Sequence, residues 1–161
     1  MKRFTSLFFL LILFSCYDGE IAFNPITNSS DGALDRTLTF GGTKNDVAHA
    51  VVATSDGGFA VLGYTQSMDG DITDKINESF DFWLLKFDAG ANLQWNKTYG
   101  GSGDDRGRDL IQTQDGGFAI LGYSSSADGD MTENNGSRDF WLAKVTPSGV
   151  LSWQKSYGFS G

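Results

Sequence analysis

The chain writes one stretch twice. Asp56-Gly57-Gly58-Phe59-Ala60-Val61-Leu62-Gly63-Tyr64 returns 59 residues downstream as Asp115-Gly116-Gly117-Phe118-Ala119-Ile120-Leu121-Gly122-Tyr123. Asp81-Phe82-Trp83-Leu84 returns 58 residues downstream as Asp139-Phe140-Trp141-Leu142, so one residue is lost in between. A unit of this length at a fixed period buries its apolar face by stacking on its copies. Repetition also bears on function. Acid–base catalysis needs carboxylates in unlike surroundings, and a duplicated set sits in like ones.

Each unit reads as four short strands. His49-Ala50-Val51-Val52-Ala53-Thr54 is β-prone, and Asp56-Gly57 predicts a tight hairpin turn into residues 59–64. Residues 80–87 form a third strand, and residues 93–99 alternate apolar with polar, as a half-exposed fourth strand should. The second unit repeats this near 108–113, 118–124, 138–145 and 150–157. Residues 59–64 and 118–123 are apolar on both faces, which predicts burial on both sides, Leu121 included. Gly63 inside such a strand predicts a close backbone approach. Residues 34–42 align with 93–101, so a lone fourth strand precedes two complete units. No helical period appears after the first sixteen residues. The 21 glycines, 2 prolines and 14% aromatics fit many tight turns around an aromatic core. The expectation is an all-β chain of two four-stranded antiparallel blade-like repeats packed face to face, with strand 34–40 beside them.

The start of the chain is read as an address. Lys2 and Arg3 precede the unbroken apolar run of residues 7–14, too short to span a bilayer but long enough for a secretory signal. Ser15-Cys16 follows, and Cys16 is the only cysteine, so no intrachain disulfide forms. Leu13-Phe14-Ser15-Cys16 resembles the bacterial lipobox, with Phe14 where a small residue is usual. The resemblance implies cleavage after residue 15 and lipidation of Cys16. Cleavage removes Lys2 and Arg3 and no acid, taking the formal charge from −8 to −10. That charge disfavours nucleic acid as a partner, which requires a basic face. Tyr17-Asp18-Gly19-Glu20 resembles the acidic export signal of surface lipoproteins in the Bacteroidetes. Residues 16–33 read as the lipidated cysteine followed by a polar tether.

The elements Gly-Gly…Asp, Asp-Gly-Gly-Phe, Gly-Tyr, Ser-x-x-Asp-Gly-Asp, Asp-Phe-Trp-Leu and Trp-x-Lys-x-Tyr-Gly resemble a repeat frequent in secreted Bacteroidetes proteins. They are similar to bacterial propeller-type repeats over residues 34–158. The resemblance implies a β-propeller fragment, with a β-sandwich or β-prism as the alternative. A propeller closes with about four to eight blades, and two are present. The organisation read from the chain is a signal peptide (1–15), the tether (16–33), the leading strand with the first repeat (34–100), the second repeat (101–158) and the start of a truncated third unit (159–161). Two apolar sheet faces without neighbours predict association, as a homo-oligomer or with further repeats, over a stable monomer.

Candidate chemistry is sparse. Asp69, Asp71 and Asp81 match Asp128, Asp130 and Asp139. Clustered carboxylates offer the oxygens that Ca²⁺ prefers, although the order required by an EF-hand is absent. The alternative role is structural, because Asp bonds the backbone of turns. The same loops are similar to the Asp-box of sialidase propellers, with Asp71 and Asp130 in place of its glycine, and no activity is carried over. Residues 112–123 are faintly similar to the bulb-type lectin motif. Trp83 and Trp141 read as core, and Trp95 and Trp153, on the outer strands, are the candidates for stacking on sugar rings. The lone His49 pairs with Arg108 in the repeat and reads as a surface residue. No nucleophile elbow, phosphate-binding loop or zinc spacing occurs. The reading is a non-catalytic lipoprotein without a required cofactor, anchored in the bacterial outer membrane and exposed at its surface. It would bind or scaffold a glycan or protein, with a lectin or part of a carbohydrate-active enzyme as the alternative.

Overall fold

The computed structural model of the chain describes residues 15–17, 20–23, 37–134 and 137–159. The apolar targeting run and most of the expected tether lie outside the described residues. Every regular element described is a β-strand. Strands β1 (Ser15–Tyr17), β2 (Glu20–Phe23) and β3 (Leu38–Phe40) form a small sheet. The first large sheet is β4 (Asp46–Ala53), β5 (Phe59–Thr65), β6 (Asp81–Phe87) and β7 (Leu93–Tyr99); the second is β8 (Asp105–Gln112), β9 (Phe118–Ser124), β10 (Asp139–Val145) and β11 (Leu151–Tyr157). All neighbours pair antiparallel in chain order. The all-β expectation of two four-stranded sheets holds.

The leading strand is shorter than expected, starting at Leu38, and β2 occupies part of the segment expected to be tether. Ile21 lies opposite Phe40 and Phe23 opposite Leu38. A β-prone run has there paired with the open edge of a short strand.

The two large sheets repeat each other down to their irregularities. Both hairpins close a three-residue loop, with the amide of Thr54 donating to Gly58 and that of Thr113 to Gly117, each at 2.9 Å. Gly57 and Gly116 take φ of 85° and 81°, a left-handed conformation that glycine adopts without a Cβ penalty. His49 and Arg108 are the extra residues of matching β-bulges, between Ala48 and Ala50 and between Gly107 and Asp109. Such bulges sharpen the local twist that stacked sheets need.

Strand alternation gives each sheet two apolar faces. In the first sheet, Phe59, Val61, Trp83, Leu85 and Phe87 point one way, with Leu38 and Phe40 of β3 packed on them. Ala60, Leu62, Phe82, Leu84 and Tyr99 point the other way and meet Phe118, Ile120, Trp141, Ala143 and Val145 of the second sheet. The Phe82 ring stands edge-on to Trp141 at 4.7 Å. It fits because Gly122 has no side chain; a Cβ there would come within 2.6 Å of the Phe82 ring. The close approach expected at Gly63 also occurs, since a Cβ on Gly107 would lie 2.5 Å from the Gly63 carbonyl oxygen.

One expectation fails. Among the described residues the second sheet is covered on one face only, and residues 118–123 are not buried on both sides. Leu121 is 40% exposed and Phe140 67%, where their counterparts Leu62 and Phe82 are fully buried. The sequence of the two strands is nearly the same; only the presence of a neighbouring sheet differs. This difference predicts unequal costs for the same substitution. Leu62→Ala should destabilise by about 2–5 kcal/mol, and Leu121→Ala by less than about 1 kcal/mol, near the range of surface changes. Equal losses in denaturant unfolding would contradict the arrangement of faces.

Candidate functional site

The repeated polar residues converge where one unit hands over to the next. Asp46 accepts hydrogen bonds from the Gly42 amide at 2.8 Å, from Ser67 Oγ at 2.9 Å and from Thr65 Oγ1. Asp105 does the same with the Gly101 amide at 2.8 Å, Ser126 Oγ at 2.7 Å and Ser124 Oγ. Both aspartates are buried. Burial pushes the Asp105 carboxyl up from its ordinary range, against the pull of those donors. Sequence reasoning did not single out Asp46 or Asp105; the Gly-Gly…Asp spacing, noted only as part of a resemblance, is the signal that could have found them.

The acidic loops close the same junction from the other side. Asp69 accepts from the amide and hydroxyl of Thr43, each at 2.8 Å, and Asp128 from the Ser102 amide at 2.7 Å. Those donors hold both carboxyls below the usual range. Asp71 accepts from the Gly41 amide at 2.9 Å and Asp130 from the Gly100 amide at 3.0 Å. The amides of Asp71 and Asp130 return bonds to the carbonyls of Gly41 and Gly100. Next along each loop, Ile72 and Met131 are buried in the two cores. Each loop thus clasps the Gly-Gly of the preceding strand and plugs the core beneath it. Among the described residues, no group of three or more histidines, cysteines or carboxylates is placed to hold a metal ion.

The third candidate pair is unequal. Asp81 lies 3.4 Å from the Lys75 ammonium, whose side chain is fully buried. Lys75 Nζ also donates to the carbonyl and side-chain oxygens of Asn77, at 2.6 and 3.0 Å. These groups line a polar hollow of about 370 Å³ with Asp74, Asp128 and Asp130. Burial is the largest influence on Asp81 and pushes its carboxyl up to about 6, with Lys75 opposing and Asp105 adding to the shift. In the second unit, Asn134 stands at the position of Lys75, and Asp139 takes the Ser156 hydroxyl at 3.4 Å. Nothing in the polar loop sequence marked Lys75 as buried.

The tryptophans also part company. Trp95 lies between the sheets, 6.0 Å from the Phe118 ring, and its Nε1 donates to the Pro147 carbonyl at 3.2 Å. Trp153, its counterpart on β11, is half exposed. Cys16 lies at the middle of β1, opposite Ile21. His49 is half-buried, not a plain surface residue: its Nε2 is 2.8 Å from Arg108 Nη1, its own repeat counterpart. Burial, then the Arg108 charge, lowers its pKa.

Sequence reasoning also missed a surface feature. A hollow of about 720 Å³ opens on the bare face of the second sheet, lined by Tyr123, Arg138, Phe140 and Tyr157. Arg138 covers the Tyr123 ring at 4.6 Å. The equivalent place on the first sheet is filled from β8, where Arg106 lies over the rings of Phe80 at 4.1 Å and Tyr64 at 5.1 Å.

The Asp81 environment makes a pH prediction. A carboxyl raised from 3.8 to about 6 favours the folded state when protonated. Its contribution is therefore fully present below about 3.8 and is lost as pH rises through about 6. Carboxyl ¹³C NMR of the folded protein should show Asp81 titrating near pH 6 and Asp69 below the ordinary range. An Asp81 midpoint at or below 4 would contradict the buried site.

No protein-family model matches the chain, and no curated protein matches it.

Proposed function

We propose that the chain is a non-catalytic binding or scaffold module of the bacterial cell envelope, built from propeller-type repeats and anchored to the outer membrane by lipid on Cys16. The observation that carries this reading is the shared fate of the repeated polar residues. Asp46 and Asp105, Asp69 and Asp128, and Asp71 and Asp130 bind equivalent partners at equivalent junctions. Their donors and acceptors join unit to unit. The Lys75–Asp81 pair breaks the symmetry, and its two charges face each other. Among the described residues, the second sheet leaves Leu121, Phe140, Trp153 and Tyr157 of one apolar face exposed.

The anchor rests on sequence. A basic pair, an eight-residue apolar run and Ser15 precede the one cysteine of the chain. Acylation of that cysteine with more than one chain makes attachment stable, whereas a single acyl chain gives only marginal binding. The carbohydrate-binding reading draws on Trp153, because Trp95 is taken up between the sheets.

Expression of the full chain with a clickable fatty-acid analogue tests the anchor. The wild-type chain should be labelled and sediment with membranes, and Cys16→Ala should lose the label and move to the soluble fraction. Labelling and fractionation unchanged in Cys16→Ala would contradict it.

A further inference from the structure

The repeated acids meet the same fate in both units, but the arginines do not repeat. Where the first unit has Val47, His49 and Phe80, the second has Arg106, Arg108 and Arg138. These three are the arginines of residues 37–159, in a chain of net charge −8. The fold gathers them around the repeated tyrosines. Arg106 and Arg108 lie 5.1 and 5.8 Å from the centre of the Tyr64 ring, and Arg108 and Arg138 lie 5.3 and 4.6 Å from that of Tyr123. Arg106 is committed: it covers Phe80 at 4.1 Å and holds Asp104 at 3.2 Å. Arg108 is exposed, and among the described residues it pairs with no carboxylate. Its acceptors are His49 Nε2 at 2.8 Å and the Tyr123 hydroxyl at 3.5 Å. A guanidinium here donates to neutral groups, although an ionised acceptor binds it more strongly. His49 and Arg108 meet because each is the extra residue of a bulge, which re-aims a side chain out of the regular alternation. The pair spans the seam between the two described units.

We infer that this seam binds the carboxylate of a uronic acid sugar, which takes the place of the His49 imidazole as acceptor of the Arg108 guanidinium while His49 takes up a proton. The planar pair of carboxylate oxygens matches the guanidinium fork. His49, once protonated from solvent, donates to the same carboxylate, and no covalent bond changes. The Tyr123 hydroxyl beside Arg108 is a partner for the sugar's own hydroxyls. Charge selects the occupant. The seam offers one guanidinium, and the charge that His49 gains, within a strongly negative chain. An acidic polypeptide with many charges is repelled by the rest of that surface. A sugar with one carboxylate and a neutral, hydroxylated body is repelled far less.

The charged groups around His49 set the pH dependence. On β5, the Tyr64 ring lies 5.3 Å from the imidazole. On β8, Arg108 is the direct contact, Arg106 with its Asp104 partner shares the Tyr64 ring, and Asp109 accepts from the Leu110 amide at 2.9 Å. On β9, Tyr123 is met through Arg108 and carries Arg138 over its ring. On β4 itself, Asp46 is buried in its junction. Burial and the Arg108 charge disfavour the imidazolium without ligand. A bound carboxylate favours it, so affinity rises as pH falls, with the uronate itself ionised down to about pH 4.

The inference rests on the binding-module reading and names its ligand class; it does not depend on the lipid at Cys16. Its test is titration of the full chain in detergent with D-glucuronate, followed by calorimetry and by NMR of His49, the only histidine. Binding should be saturable and at least about fivefold tighter at about pH 5.5 than at about pH 8. By the reciprocity of linkage, saturation should raise the His49 titration midpoint, a readout on the wild-type chain that needs no variant. Arg108→Gln should abolish binding, Arg108→Lys should weaken it, and His49→Gln should keep it while removing its pH dependence. No saturable binding, equal binding of glucose, or an unmoved His49 midpoint would overturn the inference. So would affinity indifferent to pH or to Arg108→Gln. Acetate bound as well as glucuronate would mean an adventitious anion only, and poly-glutamate bound more tightly would mean an acidic peptide site; either result overturns it. All of these failures leave fatty-acid labelling at Cys16 intact, so the two readings fail separately.

Discussion

The structure depends on one contact, the packing of an aromatic-rich sheet face against the opposite face of its own repeat. Phe82 enters over Gly122 and stands against Trp141, and around this pair the buried residues of both sheets close a common core. A four-stranded sheet with two apolar faces is not independently stable in water; it needs a neighbour on each side. The first sheet has two, β3 and the second sheet. The second sheet has one among the described residues, which leaves Phe140 and Trp153 exposed.

The polar repeat serves that packing. Side chains could slide over an apolar face, but the junctions fix the register between successive units. Each junction combines a buried aspartate that gathers two hydroxyls with an acidic loop that grips the preceding Gly-Gly. Charged acceptors of this kind form the stronger class of hydrogen bond, and they explain why acids recur in a chain with no described metal cluster. Asp69, Asp71, Asp128 and Asp130 are engaged in these junctions.

Much of this was legible in the sequence because it is local or periodic. Strand alternation set the faces and Asp-Gly set the hairpins, whereas the junction role of Asp46 and Asp105 was not read from the Gly-Gly…Asp spacing. The exposure of Leu121 was not legible, since residues 118–123 carry nearly the same side chains as 59–64 and burial depends on what stacks above them. The burial of Lys75 was equally hidden, because a lysine within a polar loop has no pattern separating a buried ion pair from a solvated one. The His49–Arg108 contact needed the bulges, which sharpen the strand twist and leave no motif.

The central claim is that the two repeats pack face to face through Phe82 and Trp141. A double-mutant cycle measures that contact most directly, because the two residues lie on different units and are 59 positions apart. Phe82→Leu, Trp141→Leu and the double variant would be unfolded in denaturant. The packing predicts a coupling of about 0.5–1.5 kcal/mol, as expected for an edge-to-face aromatic pair. Losses that add to within about 0.3 kcal/mol would mean that the two side chains do not touch, and the face-to-face arrangement would fall.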